Sequence, residues 1–178
     1  MKYTKFKDIP KFICQDGHYQ VNMPIISLPR WVKEQQDDLK LELNPDFQRG
    51  HVWAEEQKIA YMEYLLKGGL SSRTIYFNMP GWMHTNWEGP FVCVDGLQRI
   101  TAVLDFLDNK IKVFNSYFKD FEDPRWLCTE PDVIICINDL KYRKDVLHWY
   151  IEMNTGGTVH TKEQIDKVKN LLDKEDGK

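Results

Sequence analysis

Residues 91–108 read Phe91-Val92-Cys93-Val94-Asp95-Gly96-Leu97-Gln98-Arg99-Ile100-Thr101-Ala102-Val103-Leu104-Asp105-Phe106-Leu107-Asp108. The first four form a continuous apolar run suited to a buried strand, and from Ile100 onward Ile100, Val103, Leu104 and Leu107 recur at helical spacing. A strand therefore meets a helix across the polar quintet Asp95-Gly96-Leu97-Gln98-Arg99. The first backbone N–H groups of a helix have no intrahelical partner, and the helix dipole adds partial positive charge, so such a junction can take an anion. Gly96 permits a turn or a close backbone approach. Arg99 offers a planar, permanently charged fork that matches phosphate or carboxylate. Asp95, at the carboxyl end of the strand, can hold a metal ion, act as a base or cap the helix. The plainer alternative makes Asp95 an N-cap, Gly96 a turn residue and Arg99 a surface ion-pair partner. A short glycine motif does not by itself choose between the two.

Two further stretches bear on that choice. Asn44-Pro45-Asp46-Phe47-Gln48-Arg49-Gly50-His51-Val52-Trp53 places a polar Gln-Arg pair after an extended segment and ahead of a helix. Asn154-Thr155-Gly156-Gly157-Thr158 reads as a Gly-Gly turn between two amphipathic helices.

Taken in order, Pro-x-Phe-Gln-Arg-x-x-Val-Trp, then Val-Asp-Gly-x-Gln-Arg-Ile-Thr-Ala, then Asn-Thr-Gly-Gly-Thr, the chain resembles the N-terminal domain of the GmrSD-type modification-dependent restriction enzymes, within the ParB/sulfiredoxin-like superfamily. The likeness runs from Val21 to Ile165. It implies a nucleotide-handling domain whose Asp-Gly-x-Gln-Arg signature is associated with NTP hydrolysis in support of DNA recognition or cleavage. Carried over by position, the resemblance assigns catalytic roles to Asp95, Gln98 and Arg99. It assigns the nucleotide pocket to Gln48, Arg49, Gly96, Asn154 and Thr155, with Asp95 on Mg²⁺ and a nucleoside triphosphate as the other cofactor. Leu97 departs from the pattern, standing where the family usually carries the first of two Gln residues. Full-length restriction enzymes of this type add an HNH nuclease domain, for which the sequence here has no counterpart.

Two other functional classes fit the same residues. One is an enzyme acting directly on modified DNA, a nuclease, kinase or glycosylase, with tryptophans as a stacking platform. The other is a non-catalytic module of a defence or antidefence system that binds or blocks a separate nuclease subunit. The sequence contains no G-x-x-x-x-G-K-[ST] run, which excludes an ordinary P-loop.

Composition sets the bounds. A chain of 178 residues with 42% hydrophobic and 13% aromatic residues is expected to fold as one domain over 1–178 with a substantial core. A net charge of −3 argues against a chain-wide nucleic-acid footprint and leaves room for a local basic groove. Cys14, Cys93, Cys128 and Cys136 are widely spaced with no CxxC pair, so they read as buried reduced thiols rather than zinc ligands. No apolar run approaches the ~20 residues of a membrane span, and no signal peptide is evident. A soluble cytoplasmic protein that meets nucleotide and DNA but no membrane is the expectation.

The remaining pattern predicts α+β, a small mixed sheet with flanking helices. Strands are expected over 19–26, around Leu39, Leu41 and Leu43, over 74–78, within 109–115 and over 132–137. Helices are expected from Ser27 through Asp38, over 54–67 with Gly68-Gly69 as the stop, over 142–153, and from Thr161 with Gln164 in a capping box. Tyr61 and Tyr64 receive no role, and the charged tail from about 173 to 178 is expected to fray. The connection 79–90 carries Trp82 and Trp87, as either an aromatic lid or a loop packed on the domain surface. The aromatic-rich segment 116–131 reads as an irregular insertion.

Overall fold

In the computed structural model, which describes residues 2–5, 9, 19–48, 53–84, 87–155 and 162–176, the apolar runs pair into one sheet. Its strands are β1 (Tyr19–Pro24), β2 (Thr74–Asn78), β3 (Val92–Asp95) and β4 (Asp132–Asn138), in the order β1-β4-β2-β3. β4 runs antiparallel to β1 and parallel to β2, and β2 runs antiparallel to β3. Five helices flank it: α1 (Leu28–Leu39), α2 (Glu55–Leu66), α3 (Leu97–Leu107), α4 (Arg143–Thr155) and α5 (Lys162–Asp176). The fold is α+β with a mixed sheet, as the sequence predicts.

Side-chain alternation along the strands gives the sheet two buried faces. Ile75, Phe77, Phe91, Cys93, Val133, Ile135 and Ile137 belong to a core shared with α1, α2 and α3. Val92 and Val94 face a second core with Phe47, Val146, Leu147, Trp149 and Tyr150, closed by Val168 and Leu172 of α5. Trp149, 1% exposed, sets its ring edge-on to Tyr76 with centroids 5.9 Å apart. Between α2 and α3, the Lys58 ammonium sits 2.7 Å from the Asp105 carboxylate with both side chains largely buried, a contact that fixes how these two helices lie together.

Several expectations change at element ends. The alternation Leu39, Leu41, Leu43 is not a strand: α1 continues through Leu39, and Lys40 turns left-handed at φ 56° to end it. Glu42 alone bridges the outer edge of β3 through Glu42 N–H to Phe91 O and Cys93 N–H to Glu42 O, both 2.9 Å. Residues 109–115 hold no strand but a tight turn, with Phe114 and Asn115 at positive φ and a single Val113–Ser116 bridge. The insertion is structured as two 3₁₀ turns, Phe118–Asp120 and Pro124–Cys128. α5 runs to Asp176, with Glu175 3.8 Å from Arg143, and residues 177–178 lie outside the described residues. Cys93 and Cys136 are buried as expected, but Cys128 is exposed. Cys14 and the Thr161 cap lie outside the described residues.

The tryptophan loop is packed rather than open. Trp82 stacks on Trp87 at 6.0 Å and 15° and on Phe91 at 5.6 Å and 28°. Asp139 accepts from the Gly81 N–H, tying the loop to the end of β4. No helix among the described residues is long and apolar enough to cross a membrane.

Candidate functional site

The strand-to-helix junction is shaped by a bulge and a glycine. Across β2, Phe77 pairs with Cys93 but Tyr76 pairs with Asp95, so Val94 is the extra residue on β3. Bulges of this kind re-aim the side chains that follow them. Gly96 then adopts φ 118°, where a Cβ would stand 2.8 Å from Ile75 Cγ2 and 3.2 Å from Ile75 Cα. Only glycine satisfies both the backbone and the space. α3 starts at the next residue, and Ile100 N–H closes its first turn on Gly96 O at 2.9 Å.

At this turn Arg99 Nη2 donates to Asp95 Oδ2 at 2.5 Å. Arg99 is 17% exposed at the side chain and Asp95 40%. Burial works against the Arg99 charge, and the Asp95 carboxylate more than restores it, lifting the guanidinium above its ordinary value. Yet Arg99 Nε is buried with no hydrogen-bond partner, an unmet donor that costs free energy unless something occupies it. Beneath the pair, burial first and the Asp95 charge second push the Cys93 thiol far up, leaving it neutral and a poor nucleophile.

Two residues that the sequence gave no role belong to this neighbourhood. Burial pushes the Tyr61 hydroxyl up to about 12 against the pull of the Arg99 and Arg73 guanidiniums. The hydroxyl donates to Ser72 O at 3.2 Å. Arg73, just ahead of β2, also has a buried Nε without a partner. Helical spacing marked Tyr61 as core, and no local pattern marked Arg73; their meeting depends on α2 packing beside β2 and α3.

The two glutamines stand near the junction and contact backbone. Gln48 Nε2 donates to Cys93 O at 2.9 Å and Val94 O at 3.0 Å. It thus continues the pairing of β3's outer edge beyond Glu42 and satisfies the carbonyl that the bulge turns outward. Gln98 Oε1 accepts from Trp53 N–H at 3.1 Å, fixing the approach to α2. These contacts hold Gln48 and Trp53 against the junction. Arg143 Nη2 reaches both Asp46 carboxylate oxygens at 2.7 and 2.8 Å, and Lys167 Nζ donates to Asp46 O at 2.6 Å, so α4 and α5 clamp Asp46.

Asn154 is not in a turn. It lies in the last turn of α4, and its Nδ2 donates to Tyr150 O at 2.7 Å. Among the described hydrogen bonds none joins it to Asp95, Gln98 or Arg99. Thr155 closes α4, with its side chain outside the described residues, as is the whole of Arg49. Leu97, 2% exposed, points into the core. That position packs the helix start here instead of offering a polar side chain.

One carboxylate, Asp95, stands at the junction, and no group of three or more His, Cys, Asp or Glu side chains among the described residues forms a metal cage. The Asp95 carboxylate is an oxygen donor of the kind Mg²⁺ takes alongside phosphates and waters.

Comparison with curated proteins and with solved structures returns no match. The family model described as "GmrSD restriction endonuclease, N-terminal domain" matches residues 30–174, a span that takes in the Phe47-Gln48 motif, the junction and α4. The chain belongs to this family of GmrSD restriction endonuclease N-terminal domains, which gives it a role in DNA restriction.

Proposed function

We propose that the junction at Asp95–Arg99 binds the phosphates of a nucleoside triphosphate with Mg²⁺ and hydrolyses it in support of the restriction of modified DNA. The observation that carries this reading is the buried, unpartnered Nε of Arg99 at the amino end of α3. A phosphate there would meet a cation that is already desolvated and held in place. The Arg73 guanidinium, which acts on the same tyrosine, adds a second positive charge.

The Asp95–Arg99 pair defines the resting arrangement. A phosphate on Nε would share the guanidinium with Asp95, which holds Nη2. Asp95 would be the residue to hold Mg²⁺ there, and the metal would supply charge neutralisation at the phosphoryl group. Arg99 would stabilise the charge that accumulates on the leaving phosphate, and Tyr61, whose hydroxyl donates to Ser72 O, would stand neutral beside it.

The test is release of inorganic phosphate from ATP, GTP, CTP and UTP with Mg²⁺, by the unaltered protein and by Asp95→Ala and Arg99→Ala. Turnover that both substitutions abolish supports the reading. Turnover unchanged in both, with the proteins folded, contradicts it.

A further inference from the structure

A second arginine approaches the same junction from the start of β2. Arg73 directly precedes Thr74, and its carbonyl accepts from the Ile134 N–H at 3.0 Å, so its backbone already lies in the sheet. Side chains along a strand alternate between faces. Arg73 therefore shares the face of Ile75 and Phe77, which pack in one core with Tyr61 of α2 and with α3. Ile75 is the residue that closes on Gly96, its Cα 3.2 Å from where a Gly96 Cβ would stand. Two residues of strand span about 7 Å, which sets the amino end of α3 within reach of the Arg73 side chain.

The Nε of Arg73, like that of Arg99, is buried without a hydrogen-bond partner. Arg99 has Asp95 as its counter-charge, whereas no ion pair joins Arg73 to a carboxylate among the described residues. Tyr61 meets both arginines: its hydroxyl donates to Ser72 O at 3.2 Å, next to Arg73, and both guanidiniums favour its ionised form. Asp132, whose Oδ1 is also unpartnered, alternates onto the opposite face of the sheet with Ile134. Two like charges near one buried hydroxyl repel each other, and each leaves a donor unmet. An anion that reached both would relieve the repulsion and satisfy both donors.

We infer that Arg73 holds a second phosphate of the nucleotide bound at Arg99, so that the site selects a polyphosphate chain over a single phosphate. The inference rests on the nucleotide reading proposed above and names the part of the nucleotide that is recognised. A monophosphate answers one guanidinium. A di- or triphosphate carries charged oxygens along a flexible chain and answers two. Arg73 is thus a specificity residue, adding affinity for the longer chain while the Asp95–Arg99 pair stays as it is.

The experiment measures displacement of labelled ATP, GTP, CTP or UTP from the whole chain, with Mg²⁺, by the mono-, di- and triphosphates of the same base, the triphosphates as non-hydrolysable analogues. Arg73→Ala should weaken the best triphosphate about tenfold to a hundredfold, as for loss of a hydrogen bond to a charged group, and the matching monophosphate less than about twofold. Arg73→Lys, which keeps the charge but lacks Nε, should narrow the ratio of triphosphate to monophosphate affinity by less than alanine does. Arg99→Ala should weaken all three alike. A thermal melt checks the fold, and Arg73→Lys carries the comparison where the alanine variant does not fold. A triphosphate affinity unchanged by Arg73→Ala, or an equal loss for mono- and triphosphate, overturns the inference and leaves the Arg99 site standing. Absence of nucleotide binding by the unaltered protein overturns the nucleotide reading and this inference with it.

Discussion

Arg99 gives one guanidinium nitrogen to Asp95, four residues earlier across the Gly96 turn, and keeps its Nε buried without a partner. A purely structural ion pair gains by satisfying every buried donor, so the unmet Nε is the feature that sets this pair apart. Replacing Asp95 by Asn should leave Arg99 buried beside a neutral amide. Removing one member of a buried pair costs about 3–5 kcal/mol; with Asp95 40% exposed, solvent reduces that to about 1–2 kcal/mol. Urea unfolding of Asp95→Asn measures it. Arg99→Ala should cost less than Asp95→Asn, because it removes the buried cation instead of stranding it.

Gly96→Ala should be the most damaging single-methyl addition at the junction. The left-handed region costs a non-glycine residue about 1–2 kcal/mol. The contact with Ile75 Cα at 3.2 Å involves backbone, which cannot swing aside. A loss of about 3 kcal/mol or more in denaturant stability is expected, and a loss below about 1 kcal/mol would show that the turn relaxes.

The Gln48 and Gln98 contacts predict a stability phenotype ahead of a binding one. Gln48→Ala leaves two β3 carbonyls without their donor and Gln98→Ala leaves the Trp53 N–H without its acceptor. About 1–3 kcal/mol each is expected for partly buried groups. ATP affinity of the folded fraction, read by calorimetry, should fall less in either variant than in Arg99→Ala.

Tyr61 gives a pH signature. Its hydroxyl is pushed up to about 12 in the fold against about 10 in an unfolded chain. Between pH 10 and 12 the unfolded state gives up this proton while the folded state keeps it, so stability falls as pH rises, by about 2–3 kcal/mol in full. Below pH 10 the contribution is complete. Tyr61→Phe should flatten that part of the pH profile, read as melting temperature at pH 8 and pH 11. A profile identical to that of the unaltered protein would contradict the assigned burial.

The tryptophan loop offers a contrast. Trp82 lies between Trp87 and Phe91 against the core, so Trp82→Ala should cost about 2–3 kcal/mol. Trp87, 54% exposed, should cost under about 1 kcal/mol. Equal losses, measured by thermal melting, would contradict the packed arrangement.

What the sequence disclosed follows the range of the interactions involved. β2 and α2 were legible because an apolar run or stripe and a glycine stop decide them locally, and the 91–108 stretch told its own strand, turn and helix. The alternation at Leu39, Leu41 and Leu43 misled because Lys40 tolerates a left-handed cap that only α1's continuation explains. The glycines after Asn154 suggest a turn, but its side chain folds back on Tyr150 within α4. The contacts of Gln48 and Gln98 lie 45 residues or more away in sequence, so no local pattern discloses their positioning role. The aromatics of 114–126 had no period to reveal that they converge on Phe106.

The most direct test of the central claim is calorimetric titration of the protein with ATP, GTP, CTP and UTP in the presence of Mg²⁺, repeated on Arg99→Ala. The account predicts saturable binding of at least one triphosphate, weakened about tenfold to a hundredfold by Arg99→Ala, in keeping with the ~1.5–3 kcal/mol of a hydrogen bond to a charged group. Binding of none of the four, or binding that Arg99→Ala leaves unchanged, would contradict a nucleotide site at the Asp95–Arg99 junction.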